Sequence, residues 1–324
     1  MSYKNILVTG GSGFLGSALV VSLVSDGHNV RVFDNNFRGK LTRLDKVKND
    51  IEFITGDIRD ERAVNQASKG VDWIFHLAFV NGTKFFYEQP GLVLDVGVKG
   101  ALTTMDAALK NNVEKYIVAS SSEVYNEPIN IPTDENERIL IPDINNPRFS
   151  YSGGKFVTEL LTIHYLKNGP ERIIFRPHNV YGPNMGWEHV IPDFFKRIRN
   201  LRKYQNAKPF DFPIQGSGNE TRAFCYISDA VEGIKICTNL GKSGEIYNIG
   251  FDKETSIFSL AKHIAKICGC EINIIKNAVL RGSTSRRCPN IDKLAKLGFT
   301  PKTDLNVGLQ ECANWYLNAD LPKD

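Results

Sequence analysis

The sequence predicts an α/β protein with a doubly wound parallel sheet and a smaller, loop-rich C-terminal α/β lobe. Three observations lead to this prediction. Apolar segments rich in β-branched residues alternate with helical segments through the first half of the chain, which is typical of right-handed βαβ crossovers. A glycine-rich turn joins the first strand to the first helix. Proline and glycine become frequent after Pro177, where the alternation ends.

The elements follow one another in a regular order. The apolar runs predict strands at residues 5–9, 30–33, 51–54, 73–77, 115–119, 172–176 and 246–249. Leu15, Leu19 and Leu23 lie on one stripe of a helix that begins after the glycine turn. Further helices are predicted over residues 92–111, 152–166 and 257–268.

The length of 324 residues suits about two domains. We place the doubly wound domain at residues 1–177 and the smaller lobe at residues 178–324. Segments near residues 224–265 are candidates for returning to the first domain.

Composition and charge exclude several classes of protein. Apolar residues make up 42% and charged residues 23%, an ordinary globular composition that excludes disorder and coiled coil. The net charge of +4 is too small to indicate a nucleic-acid or membrane partner. No run approaches the roughly 18 apolar residues of a membrane span, and no signal-peptide pattern is seen. We therefore expect a cytoplasmic protein.

The cysteines predict neither disulfides nor a metal site. They lie in the C-terminal third without a Cys-x-x-Cys pair or a histidine at zinc spacing. We interpret them as buried or idle thiols of a reducing compartment. They are Cys225, Cys237, Cys268, Cys270, Cys288 and Cys312.

The glycine turn indicates a dinucleotide site. Gly10, Gly13 and Gly16 are spaced G-x-x-G-x-x-G between the first strand and the first helix. Glycine lets the backbone turn tightly and approach a pyrophosphate, which the N–H groups and dipole of the helix then hold. Asp34 ends the second strand and can accept hydrogen bonds from both ribose hydroxyls of NAD, while repelling the 2′-phosphate of NADP. Arg38 nearby leaves NADP as the alternative.

This spacing resembles that of extended short-chain dehydrogenases/reductases, which have a Rossmann-type fold. The resemblance implies an adenine contact at Asp57 and Ile58, and a loop beside the nicotinamide ribose at Ala78. The full set of cofactor-binding residues that we predict is Gly10, Gly13, Phe14, Leu15, Gly16, Asp34, Asn35, Asp57, Ile58, Leu77, Ala78, Ser120, Tyr151 and Lys155.

Tyr151 and Lys155 are the predicted acid–base pair. Their i, i+4 spacing places both on one face of a helix. A tyrosine pKa near 10 makes a poor base at neutral pH, so we expect the lysine charge to move the tyrosine pKa towards 7. The lysine also has donors to spare for the nicotinamide ribose.

A second motif makes the resemblance specific. The segment 120–125, Ser-Ser-Ser-Glu-Val-Tyr, resembles the S-T-D-E-V-Y-G of dTDP-glucose 4,6-dehydratases and the S-T-S-E of UDP-glucuronate decarboxylases and GDP-mannose 4,6-dehydratases. It implies that Ser121 bonds the C4 oxygen of the sugar and that Glu123 is a carboxylate base. The resemblance extends through three residues that would contact the nucleotide diphosphate, namely Asn179, Arg222 and Arg287. It covers nearly the whole chain and implies an NAD-dependent epimerase/dehydratase acting on a nucleotide sugar.

Four departures from the family pattern concern the sugar and the later steps. Ser122 takes the place of the aspartic acid that protonates the leaving C6 hydroxyl in dTDP-glucose dehydratases. Gly97 stands where the family mostly has asparagine, and Asn126 replaces a glycine. Residues 79–84 match no sugar-pocket loop.

The favoured reaction is 4,6-dehydration, in which Tyr151 and Ser121 support C4 oxidation and Glu123 removes the C5 proton. C4 epimerisation needs no base at C5. Decarboxylation of a UDP-uronic acid would need a cation for the C6 carboxylate, for which Lys84 is a candidate. C4 oxidation with release of the keto sugar is also compatible with the sequence, as is a catalytically silent NAD-binding sensor.

We also expect a homodimer, because residues 92–111 and the helix after Tyr151 carry more apolar surface than one sheet face can cover.

Overall fold

The computed structural model describes residues 3–204, 209–278 and 284–321. Within these ranges the strands are β1 Asn5–Thr9, β2 Asn29–Asp34, β3 Ile51–Thr55, β4 Trp73–His76, β5 Lys115–Ala119, β6 Glu171–Pro177, β7 Val180–Tyr181, β8 Phe210–Gln215, β9 Thr221–Ala223, β10 Cys225–Tyr226, β11 Ile246–Ile249, β12 Glu254–Ser256, β13 Ile272–Asn277 and β14 Arg286–Arg287.

The helices in the same ranges are α1 Phe14–Ser25, α2 Glu61–Ala67, α3 Thr83–Glu88, α4 Pro90–Leu94, α5 Gly100–Lys110, α6 Ser150–Leu160, α7 Val190–Tyr204, α8 Ile227–Leu240, α9 Ile257–Ile267, α10 Asp292–Ala295 and α11 Leu305–Tyr316. Residues 203 and 204 are described by their backbone alone.

The central sheet confirms the predicted fold class. Seven of the described strands lie in the order β11-β6-β5-β4-β1-β2-β3, and every pair is parallel. β1 pairs with β2 on one side and with β4 on the other, so the strand order reverses there. In an open α/β sheet, ligands bind outside the carboxyl ends of the strands at such a switch point. The glycine turn that follows β1 lies at this position.

The two long predicted helices each include a turn of π-helix. A π-turn at Asp95–Lys99 separates α4 from α5 within the predicted helix 92–111, and a π-turn at Leu161–Tyr165 follows α6 at the end of the predicted helix 152–166. A π-turn adds one residue to the helical repeat and locally shifts which side chains face the core. Apolar periodicity alone does not reveal such an insertion.

The smaller lobe is built from short pairings. β13 pairs with β8, β10 with β7, and β12 and β14 flank β9. β11 extends the main sheet beside β6, and α8 packs on α1. Separate apolar clusters cover the two faces of the main sheet, and a third fills the smaller lobe between α7, α9 and α11.

The six cysteines lie among the described residues, and all are free and buried. Burial raises the pKa of the Cys268 and Cys288 thiols to about 11, which keeps them protonated at neutral pH. In the part of the chain that the structure describes, no helix has the length and apolarity that a membrane crossing requires.

Candidate active site

The turn between β1 and α1 forms a cradle for an anionic group. Gly10 has a φ of +72°, and a Cβ atom there would lie 2.7 Å from the backbone nitrogen of Ala78. A Cβ atom at Gly16 would lie 2.2 Å from the carbonyl oxygen of Gly10. Both positions therefore exclude a side chain. No side chain caps α1 at Gly13, so the N–H groups of its first turn are directed towards the cleft that Gly13 lines.

Asp34 lies in the wall of the same cleft at the end of β2 and is 9% exposed. Its carboxylate accepts hydrogen bonds from the backbone N–H groups of Ser12, at 3.0 Å, and Asn36, at 2.8 Å. These bonds orient the carboxylate and leave lone pairs for two ribose hydroxyls. The cradle and the carboxylate together fit a dinucleotide that carries no 2′-phosphate.

The structure brings the predicted cofactor residues into one cleft at the carboxyl ends of the central strands. Lining this cleft are Gly10, Gly13, Phe14, Leu15, Gly16, Asp34, Asn35, Asp57, Ile58, Leu77, Ala78, Ser120, Tyr151 and Lys155. Asp57 is held there by Arg59, whose Nη2 lies 2.6 Å from its Oδ2. Hydrogen bonding by Arg59 lowers the pKa of Asp57.

α6 carries Tyr151 and Lys155 one turn apart and buries both side chains. Lys155 Nζ donates a hydrogen bond to the carbonyl oxygen of Ala119 at 2.5 Å. Burial lowers the pKa of Lys155 to about 7. Burial also raises the pKa of Tyr151, and the charge of Glu123 adds to this. The expected lowering of the tyrosine pKa is therefore not seen, because both groups are desolvated and the ammonium is directed at Ala119.

Two phenylalanine rings that the sequence did not assign to the site enclose Tyr151. The Phe79 ring meets it edge to face with centroids 5.1 Å apart, and the Phe86 ring stacks on it at 4.9 Å. Lys155 Nζ lies 4.1 Å from the centroid of Phe79. The acid–base pair is thus set in an aromatic pocket. The sequence signal that could have revealed this pocket was the unmatched loop 79–84, which contains Phe79.

The motif after β5 folds into a 3₁₀ turn, Ser122–Tyr125. Ser121 Oγ accepts a hydrogen bond from the backbone N–H of Glu123 at 3.1 Å. A hydrogen bond also joins the Ser121 hydroxyl to Tyr151 and opposes the rise in the pKa of Tyr151. Ser122 is buried, at 4% exposed. Ser121 and Tyr151 are thereby brought to one point, where a sugar hydroxyl would meet both.

Glu123 lies among guanidinium groups. Its Oε1 is 2.5 Å from Arg287 Nη1, and its Oε2 is 3.9 Å from Arg148 Nη2. Burial alone would raise the pKa of Glu123, but the charges of Arg287, Arg148 and Arg222 outweigh it and hold the pKa below its usual value. The carboxylate is therefore ionised at neutral pH. Arg148 was not predicted, because a single arginine outside any motif gives no sequence signal.

Beneath this turn lies a buried ion pair that the sequence did not reveal either. Arg176 and Glu159 are both about 2% exposed, with Nη2 and Oε2 2.6 Å apart. Glu159 also accepts a hydrogen bond from the Ser120 hydroxyl, and Arg176 donates to the Tyr125 hydroxyl at 2.8 Å. The pair therefore binds both ends of the segment 120–125. Buried charges are tolerated when they are paired and hydrogen-bonded in this way.

The predicted substrate residues are only partly brought together. Arg222 and Arg287 lie at Glu123, whereas Asn179 is tied to the strand that carries Arg222, since its Nδ2 donates to the carbonyl oxygen of Ala223 at 3.1 Å. Lys84 is not at this point. Its side chain is 67% exposed and lies 4.0 Å from Glu88, because α3 turns it to the surface. Arg148, rather than Lys84, is the additional cation beside Glu123.

Two loops approach each other over the cleft, and we call their contact the strap, formed by residues 35–44 and 182–189. Arg38 Nη2 lies 2.8 Å from Glu188 Oε2. Arg43 donates to the carbonyl oxygens of Asn184, at 2.8 Å, and Ser12, at 3.2 Å. The strap joins the cofactor side of the cleft to the smaller lobe.

A model of the NAD dependent epimerase/dehydratase family matches residues 6–250, which span the cradle, the acid–base pair and the Glu123 turn. The chain belongs to this family.

The relatives of this chain are named for different reactions. The UDP-N-acetyl-alpha-D-glucosaminuronate decarboxylase of Bacillus cytotoxicus is 31% identical over 323 residues, covering 97% of this chain and 98% of the relative. A dTDP-glucose 4,6-dehydratase double mutant from Streptomyces venezuelae, solved with NAD, has a TM-score of 0.85 at 26% identity, with 97% of both chains covered. The UDP-glucose 4-epimerase of Thermotoga maritima, solved with UDP-glucose, has a TM-score of 0.85 at 26% identity, with 96% and 98% covered.

The family match and the glycine cradle of this chain agree on the cofactor: the protein is NAD-dependent. The glycines that exclude side chains and the carboxylate of Asp34 are the observations on this chain that fit NAD. The relatives named above act on or bind nucleotide sugars, but they divide among decarboxylation, dehydration and epimerisation.

Proposed function

We propose that this protein oxidises a nucleotide-diphosphate sugar at C4 and then removes the C5 proton, as a nucleotide-sugar 4,6-dehydratase. The observation that carries the proposal is the position of Glu123, an ionised carboxylate next to the Ser121–Tyr151 hydrogen bond and paired with Arg287. An enzyme that only exchanged a hydride at C4 would have no use for a charged base at this point.

The first step uses Tyr151, Ser121 and Lys155. Tyr151 takes the proton of the C4 hydroxyl, and Ser121 holds the C4 oxygen through the hydroxyl that also bonds Tyr151. NAD, when bound, accepts the C4 hydride and later returns it to the sugar. Lys155 Nζ lies 5.9 Å from the centroid of the Tyr151 ring, and its positive charge would act against the burial that raises the pKa of Tyr151, since an opposite charge nearby stabilises an ionised group.

The second step depends on Glu123 and its arginines. The C4 ketone acidifies the C5 proton, which Glu123 can remove. An anionic diphosphate that binds Arg287 and Arg222 competes with Glu123 for the Arg287 guanidinium. Because loss of a counter-charge raises a carboxylate pKa, substrate binding would make Glu123 the stronger base. With a serine at position 122, the proton that Glu123 takes from C5 can pass to the C6 oxygen, which leaves as water. The hydride taken from C4 is then returned to C6, and C5 regains one proton, which balances the proton that Tyr151 took from the C4 hydroxyl.

Decarboxylation is the second candidate, and the arginine cluster favours it. Arg287 and Arg148 reach the same carboxylate from two sides, at 2.5 and 3.9 Å. The C6 carboxylate of a sugar could take the place of the Glu123 carboxylate between these two guanidinium groups. The C4 ketone would then accept the electron pair that is released as carbon dioxide departs. In this reaction Glu123 has no proton to remove from C5.

The two reactions and epimerisation differ in the mass of the product. The purified protein with bound NAD would be incubated with UDP-, dTDP-, GDP- and CDP-hexoses and with UDP-uronic acids, followed by mass spectrometry. We expect the loss of one water from a nucleotide hexose. Loss of carbon dioxide from a uronic acid would establish the decarboxylase, and an unchanged mass with inverted C4 would establish an epimerase. Tyr151→Phe is the control, and it should give no product with any sugar.

A further inference from the structure

Phe79 and Gly97 lie on different elements but occupy one space. A Cβ atom at Gly97, in the π-turn before α5, would lie 2.2 Å from Phe79 Cζ. At Gly154, in α6, it would lie 3.0 Å from the same atom. Neither glycine has a positive φ, so the backbone does not require glycine here. Glycine within a helix is unfavourable compared with alanine. The two glycines are therefore explained by the space that the Phe79 ring takes between them.

The ring that fills this space faces the acid–base pair. Its centroid lies 4.1 Å from Lys155 Nζ, close to the face of the ring, and 5.1 Å from the centroid of the Tyr151 ring. Lys155 is 3% exposed, so water contributes little to holding its charge. The negative face of an aromatic ring attracts an ammonium, and more strongly where water is excluded.

We propose that Phe79, seated against Gly97 and Gly154, is a positioning residue that keeps the Lys155 side chain in its ammonium form beside Tyr151. The proposal rests on the role given above to Tyr151 and Lys155. It also accounts for the glycine at position 97, because the Phe79 ring takes the volume that a side chain there would need.

The charge part of the proposal is tested by a double-mutant cycle of Phe79→Leu and Lys155→Met in the protein stripped of NAD. Leucine keeps an apolar side chain but has no ring face. Thermal melts at pH 6, where Lys155 is charged, should show that Phe79→Leu lowers the Tm more in the lysine background than in the methionine background. At pH 10, above the Lys155 pKa of about 7, this difference should vanish. A difference that is the same at both pH values, or absent at both, would overturn the proposal.

Phe86→Leu is the matched control. Phe86 stacks on Tyr151, so its loss removes a comparable aromatic contact. Its cycle with Lys155→Met should show no dependence on pH. In the enzyme with NAD and substrate, Phe79→Leu should move the basic limb of the kcat profile down by roughly half to one pH unit, with KM unchanged.

The packing part is tested by Gly97→Ala, which displaces the ring without changing Phe79. In the wild-type background Gly97→Ala should lower the Tm, because its methyl group overlaps the ring. In the Phe79→Ala background it should raise the Tm, since alanine is favoured over glycine in a helix. A change in Tm of the same sign in both backgrounds would contradict the proposal that Phe79 and a side chain at position 97 compete for one space. If Tyr151→Phe and Lys155→Met still oxidise the sugar, the proposed function fails. The Tm couplings of Phe79 with Lys155 and with Gly97 can still be measured in that case, because they do not depend on turnover.

Discussion

At the residue scale, the chemistry depends on charges that the fold holds among counter-charges. Glu123 is kept ionised by Arg287, Arg148 and Arg222. If Glu123 is the C5 base, Glu123→Gln keeps the shape of the side chain but cannot take the proton. Oxidation at C4 should survive, and elimination should slow by about 10²–10⁴-fold, the usual contribution of a positioned general base.

This prediction has a spectroscopic readout. Given its substrate, Glu123→Gln should accumulate the absorbance of the reduced nicotinamide, whereas Tyr151→Phe should show neither that signal nor product. Unchanged turnover in Glu123→Gln would show that the carboxylate is structural and would favour the epimerase.

A second residue-scale prediction concerns the cost of burying Lys155. Its pKa is lowered from 10.5 to about 7 by burial, so the unfolded chain holds the proton more tightly than the folded protein. The stability lost to this group is greatest below pH 7 and diminishes as the pH rises from 7 towards 10.5. Lys155→Met, in protein stripped of NAD, should therefore raise the Tm at pH 6–7 by several degrees.

The same variant should lose sugar oxidation, because the cation beside Tyr151 is gone. Melts across pH 6–10 check the sign, since the gain in Tm should shrink with rising pH. Lys115→Met is the control: Lys115 pairs with Glu171 at 3.1 Å and keeps a more accessible side chain. A gain for Lys155→Met that does not depend on pH would contradict the argument.

Residues in local motifs could be singled out from the sequence, and their roles in the site stay predictions. Gly10, Asp34, Tyr151 and Glu123 each precede or follow an identifiable strand or helix, and the structure places them around one cleft region. Residues that act through distant partners were missed. Arg148 is recognised as a site residue only from its contact with Glu123, and Phe79 only from its packing against Gly97. Such contacts are made by the tertiary fold, which a single sequence without local signals does not specify.

At the scale of elements, the strap connects two loops that sequence separates by about 140 positions. The Arg38–Glu188 ion pair at 2.8 Å spans the cleft, and its side chains are 34% and 46% exposed. Exposed pairs contribute little to stability. The Arg38–Glu188 pair should instead slow the dissociation of a bound dinucleotide, since the strap must open before the dinucleotide can leave.

Glu188→Gln should therefore increase the dissociation rate of NAD roughly two- to five-fold, which is the change in rate expected when the free energy of one exposed ion pair is lost. The Tm should change little. Stopped-flow displacement of NAD measures this rate. Glu88→Gln is the control, because Glu88 pairs with Lys84 at 4.0 Å on the surface and does not span the cleft. Equal rates in the wild type and Glu188→Gln would show that the strap does not limit release.

Element prediction succeeded where apolar periodicity is uninterrupted and failed at insertions. β1, β2, β3 and β5 lie within a residue of their predicted positions. The π-turns at Asp95–Lys99 and Leu161–Tyr165 were not predicted. Periodicity reports which face of a helix is apolar, whereas a π-turn inserts one residue without a sequence signal of its own.

At the scale of the whole molecule, a group of exposed apolar side chains lies on neighbouring helices. α4, α5, α6 and the second π-turn expose Leu94, Leu109, Leu160 and Tyr165 at 38–47%. Not all of the apolar residues that suggested a dimer are available, since Met105 and Leu166 are fully buried in the core. The remaining exposed leucines still lie on helices adjacent in space, because α4 contacts α6. We predict that this surface forms a homodimer around a two-fold axis.

Sedimentation at micromolar concentration should therefore show a species of twice the 36.3 kDa chain mass. Leu160→Glu should weaken the dimer about 30- to 100-fold, since it removes a buried leucine contact of about 2–3 kcal/mol and places a charge at the interface. Leu240→Glu is the matched control, because Leu240 ends α8 and is 61% exposed. α6 carries Tyr151 and Lys155, so dissociation should also loosen the acid–base pair and lower kcat. A monomeric wild type, or equal dimerisation of the two variants, would show that this surface has another use.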